Sequence, residues 1–219
     1  LRQYHTGHNL DMQLRENLDY AKVLYDKGFY KQALKILEKS KSQANSNRFH
    51  TIGLEILEFE KLIESQYITR SIETKAEELT NEIDQSTAVI ARTHQLSNLA
   101  LNLYGLYLKK GYIRNEEDFK ETKAYFLSRM PNVEVEKLSF YEELYYHQSY
   151  VWYNYIIQDF ANCYRHSLYW TDLFRNDKLM FKKHPEQYIK GLHNLLASLF
   201  HLQYYSKFCA VLEELEALS

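Results

Sequence analysis

Glycine and proline are scarce in this sequence. Six glycines and two prolines in 219 residues leave few chain breaks. That count disfavours a turn-rich, many-stranded β fold and favours long helices. Alternation of strand type is not sustained anywhere. Cysteine is scarcer still, with Cys163 and Cys209 and no CxxC. A disulfide framework is therefore not indicated, and a reducing, cytoplasmic setting is expected. No run of 18 apolar residues exists and no signal-peptide pattern is present, so no membrane association is expected. An excess of one charge is also missing: 27 basic residues face 29 acidic ones, for a net charge of −2. Without a basic stripe to neutralise phosphates, nucleic acid is not an expected partner.

The usual marks of catalysis are absent as well. There is no Gly-rich phosphate loop, no GxSxG elbow, and no HExxH or ExxH pattern. Nine histidines are present but scattered. His193 and His201 are eight apart on one expected helix, too far to chelate one ion alone. Glu143 and His147 are four apart, with no second pair to complete a site. Both cysteines lie in helical patterns and read as small packing residues. No cofactor and no metal are expected, and the chain does not read as an enzyme.

What the sequence does have is aromatic mass, 20 tyrosines and 11 phenylalanines, enough to build a core from few, large side chains. It also has helical periodicity. Residues 17–40 are the clearest case. Leu18, Ala21, Leu24 and Tyr25 form one helical face, Gly28 follows, and Tyr30, Ala33, Leu34 and Leu37 form a second face. Gly28 can take the left-handed conformation that closes a helix. Ala21 and Ala33 let two backbones approach closely. The stretch predicts two helices folded back on each other.

Ala21, Gly28, Tyr30 and Ala33, with Leu37 and Ser40 further on, resemble one tetratricopeptide repeat over about 34 residues. The family's helix-A tryptophan is Asn17 here, and its closing proline is Asn45. The resemblance implies an all-α, right-handed α-α solenoid, with a concave groove that holds a peptide or protein segment.

Along the chain, residues 1–8 read as a loop or the tail of an earlier helix, with Asn9 as an N-cap. Helices are expected at about 10–27, 30–44, 48–65, 68–92 and 95–110. The fourth carries the stripe Ile68, Ile72, Ala76, Leu79, Ile83 and Ile90. Asn115 is expected to cap a helix that ends near Met130-Pro131, with Glu116, Glu117 and Asp118 in its first turn. Helices at 136–157 and 160–175 should meet at Gln158-Asp159-Phe160, the counterpart of the turn at Gly28. Pro185 should open a helix, and helices at 185–202 and 205–218 should meet at Gln203-Tyr204-Tyr205. The turns at 28, 111, 158 and 203 are separated by 83, 47 and 45 residues, so the unit is longer than 34 residues. About ten helices in about five hairpins are expected, forming one repeat domain over residues 1–219. Because Leu1 rather than Met opens the sequence, this domain reads as part of a longer chain.

Residues 140–181 hold 14 aromatics, placed all round the helix at 136–157. Most are expected in the core. The resemblance places groove positions on the first helix of each hairpin. They are Arg15, Leu18, Lys22 and Tyr25 in the first hairpin, Tyr145, Gln148, Trp152 and Tyr155 in the fourth, and Lys190, His193 and Phe200 in the last. The expected peptide contacts are Arg15, Lys22, Tyr25, Tyr145, Gln148, Trp152 and Tyr155. The alternatives are an architectural segment of a larger protein whose active domain lies outside this chain, and a helical-bundle enzyme. The latter would need a pocket of convergent titratable groups.

Overall fold

Scarce breakers and sustained 3.6-residue periodicity yield helices throughout the computed structural model, which describes residues 4–66 and 72–218. Among the described residues 86% are helical and no strand is present. The described residues form ten α-helices: α1 (Tyr4–Asp26), α2 (Tyr30–Ser46), α3 (His50–Gln66), α4 (Ile72–Lys110), α5 (Glu116–Arg129), α6 (Phe140–Ile156), α7 (Phe160–Asn176), α8 (Lys178–Lys183), α9 (Pro185–His201) and α10 (Tyr205–Glu216). A 3₁₀ turn over Val135–Lys137 precedes α6. By contacts the chain divides into two compact units, residues 1–91 and 92–219.

The tight turns share one device. Gly28, Arg48, Gln158 and Gln203 all have φ between +57° and +79°. At each, the residue's N–H bonds to the carbonyl three back and the next N–H bonds to the carbonyl five back, as in Gly28 to Tyr25 and Phe29 to Leu24, both 2.8 Å. This pair of bonds satisfies the last carbonyls of the preceding helix and reverses the chain in three residues. Gly111, with φ +71°, closes α4 through its N–H to the Tyr107 carbonyl.

The first unit is a three-helix layer of α1, α2 and α3 with the first part of α4. Leu14, Leu18, Ala21, Ala33, Leu37, Ile52, Ile56 and Ile63 form its core. In the second unit, Leu99 and Leu103 of α4 meet Phe126 of α5 and Tyr153 of α6, whose ring stacks on Phe126 at 4.1 Å. Helices α6, α7, α9 and α10 share a larger core around Leu144, Val151, Trp170, Phe174, Leu192 and Leu195. Small residues set the close approaches. Ser149 Oγ reaches the Leu96 carbonyl at 3.3 Å, and Cys163 lies fully buried with Sγ 3.7 Å from the Val151 carbonyl.

Three sequence expectations need correction. Helix α1 begins at Tyr4, so Asn9 lies inside it and is not a cap. The helix runs back beyond the apolar stripe that revealed it, which starts only at Leu10 and Leu14. The expected helices at 68–92 and 95–110 are one continuous α4 from Ile72; the proposed start at Ile68 lies outside the described residues. No Gly or Pro occurs between 54 and 104 to interrupt it. Finally, residues 176–184, left without a helix between the expected ones at 160–175 and 185–202, contain α8. Asp177 caps it by accepting from Leu179 and Met180 N–H, both 3.1 Å, and Met180 anchors it fully buried. Six residues are too few to show a helical period.

Candidate functional site

The second unit contains a cavity of ≈490 Å³ walled by three helices. From α4 come Ser97, Ala100, Leu101 and Tyr104. From α6 come Tyr145, Gln148 and Trp152. From α9 come Gln187, Lys190, His193 and Asn194, and Trp170 of α7 closes the floor. The size falls within the range of ligand pockets.

Each wall follows from its helix register. Leu96, Leu99 and Leu103 of α4 turn into the core. The i, i+4, i+7, i+11 set Ser97, Leu101, Tyr104 and Leu108 therefore faces away from it. Leu101 is 68% exposed and Leu108 65%. On α6, Tyr145, Gln148 and Trp152 fall at i, i+3 and i+7, one stripe. Buried Glu142 holds the start of that helix. Its Oε2 accepts from the Ser139 backbone N–H at 2.8 Å and its Oε1 accepts from Arg92 of α4 at 2.6 Å.

Trp152 is half-buried and leans on Tyr104, with ring centroids 4.5 Å apart. Gln148 donates to the Gln187 side-chain carbonyl at 3.0 Å, bridging α6 to α9. The pair keeps one amide oxygen and one amide NH₂ without a protein partner, whichever way the two amides are turned. Burial raises the Tyr145 hydroxyl pKa, so this ring lines the wall as a neutral group. Trp170 is 2% exposed, and its indole N–H finds no acceptor among the described residues. Its edge lies against Gly191, where a Cβ would come within 3.2 Å of Nε1.

Of the residues picked from sequence, Tyr145, Gln148 and Trp152 meet in this cavity, as do Lys190 and His193. Tyr155 is 6% exposed in the core, with its ring beside Phe160 and His201. Phe200 is 62% exposed. The first-hairpin residues belong to the first unit. There Arg15 pairs with Asp11 at 3.1 Å and Glu55 at 3.8 Å, Lys22 pairs with Asp19 at 3.3 Å, and Leu18 is buried. Tyr25 packs edge-on against Tyr30 and Phe59. Leu101 and Tyr104 were not foreseen. They sit in the stretch before Gly111, where the longer turn puts the repeat spacing out of register.

The first unit has its own cleft of ≈560 Å³, bounded by α2, α3 and α4. It is lined largely by polar side chains, and its lysine is already neutralised. Lys41 holds Glu60 at 3.0 Å and Glu82 at 2.9 Å. Burial would lower the Lys41 pKa, but these carboxylates raise it.

Chemically the α4/α6/α9 cavity offers aromatic walls, an amide pair and two basic side chains. Burial pushes the Cys163 thiol pKa far up, so it stays protonated. Among the described residues no group of three His, Cys, Asp or Glu could hold a metal ion. No described helix is long and apolar enough to cross a membrane. Comparison of the chain with protein-family models, curated proteins and solved structures finds no match.

Proposed function

We propose that the chain is a non-enzymatic scaffold that holds a peptide or protein segment, built as a right-handed solenoid of hairpins resembling tetratricopeptide repeats. The observation that carries this reading is the stripe Tyr145, Gln148 and Trp152 opening into a cavity between the exposed faces of α4 and α9. The stripe on α6 and the face of α9 are where the repeat resemblance puts ligand contacts. A free amide oxygen and a free NH₂ from the Gln148–Gln187 pair match the donor and acceptor of a peptide main chain. Tyrosine and tryptophan add contact area at low entropic cost. A reading as an architectural segment would need these aromatics closed over by packing, whereas Tyr104 remains 39% exposed.

The test is selection of peptides on the immobilised protein, followed by Trp152→Ala. A binding row predicts that the variant keeps its helicity and loses about 2 kcal/mol or more of binding energy, the scale of a central aromatic anchor. Peptides that bind the variant as well as the wild type would refute this placement.

A further inference from the structure

Apart from its tyrosines, the ionisable side chains on the wall of the cavity are all bases. Lys190 and His193 line it, and no Asp or Glu does, although the chain as a whole has net charge −2. The two bases fall at i, i+3 on α9 and so share one wall. Both are exposed, and neither has an acidic partner among the described residues. The facing wall is of opposite character. Leu101, Tyr104 and Trp152 present apolar and aromatic surface with no charged group. Between the two walls lies the Gln148–Gln187 amide pair.

An exposed cation that the fold leaves unneutralised next to an apolar wall favours a ligand with both features. The apolar contact supplies most of the affinity, while the charge steers encounter and selects against basic ligands. We propose that the segment held here carries a bulky apolar side chain, set against Leu101, Tyr104 and Trp152, and within a few residues an acidic side chain, set against Lys190 and His193. This rests on the reading of the cavity as a peptide site and adds the chemistry of the peptide.

The probe is a library of random nonapeptides displayed as internal insertions, so that no ligand has a free terminal carboxylate. It is selected separately on wild type, Trp152→Ala and Lys190→Glu. Lys190 is exposed, so its variant should fold, and circular dichroism checks this. Wild type should enrich Asp or Glu within about four residues of Leu, Phe, Tyr or Trp. A selected sequence, made with blocked ends, should bind Lys190→Glu about three- to tenfold more weakly, since reversal replaces one exposed attraction by a repulsion. Its affinity for wild type should fall as salt rises. Selected peptides that need Trp152 but carry no acidic preference, or that ignore Lys190→Glu, would overturn the charge assignment and leave the cavity reading standing. Peptides that bind without Trp152, or no selected peptide at all, would overturn both.

Discussion

Acidification should weaken the second unit through one histidine pair. His147 of α6 and His166 of α7 meet with Nδ1 atoms 3.0 Å apart. One nitrogen must donate and the other accept, so adding a proton to the accepting ring sets N–H against N–H. Tyr146, Tyr150 and Tyr169 surround the pair, and the His166 ring stacks on Tyr150 at 4.3 Å. The charged groups nearby are Glu143, 3.7 Å from His147 Nε2, and Arg165. Burial, then His147, then Arg165 depress the His166 pKa to about 3 from an ordinary 6.5. The folded value lies below the unfolded one, so the unfolded chain binds more protons between pH 6.5 and 3. The contribution to stability is complete above pH 6.5 and is lost as pH falls through that window. From 6.5 down to pH 5 is about 1.5 units, or about 2 kcal/mol, nearer 1 after allowing for the partial exposure of the ring. Both tryptophans, Trp152 and Trp170, lie in this unit, so their fluorescence reports its unfolding in urea. His166→Phe keeps a ring on Tyr150 and has no proton to gain. Wild type should lose about 1–2 kcal/mol more than His166→Phe between pH 7 and pH 5. Equal losses in the two proteins would refute the role assigned to the pair.

Two turn variants test the backbone account. A Cβ at Gly28 meets nothing within 4 Å, yet its φ is +79°, so Gly28→Val should cost more than about 1 kcal/mol through backbone strain alone. Thermal melts should show this loss, and Gly105→Ala, also in open space but inside α4, should instead gain about 0.5–1 kcal/mol. Gln203 occupies the same left-handed position with φ +59°. Gln203→Gly should therefore raise stability in denaturant titrations by up to about 1 kcal/mol, as relief of the non-glycine penalty exceeds the added entropy of the unfolded chain.

The turns were legible in the sequence because their chemistry is local. Gly28 and Gly111 announce themselves, and Gln158 and Gln203 were found by analogy with the residues that follow Gly28. Arg48 was passed over because neither glycine nor a familiar dipeptide marks its turn. The long α4 was cut in two because its buried stripe changes direction along its length, from Leu79 in the first unit to Leu96, Leu99 and Leu103 in the second. Half of the cavity was legible for the same reason as the turns. Counting from Gln158 and Gln203 places Tyr145, Gln148, Trp152, Lys190 and His193 on the helix faces that line the cavity. The α4 wall was not, since no tight turn fixes its register. The Arg92–Glu142 link joins residues 50 apart in sequence, and no local pattern reports such a contact.

The placement of ligand against Trp152 is tested most directly by acrylamide quenching of tryptophan fluorescence with and without a selected peptide. Trp152 is half-buried on the cavity wall and Trp170 is 2% exposed beneath it. Free protein should therefore show one quenchable and one shielded tryptophan. Saturating peptide should shield the first as well, with a titration curve that matches the binding curve. Quenching that is unchanged at full saturation would place the ligand elsewhere and contradict the account.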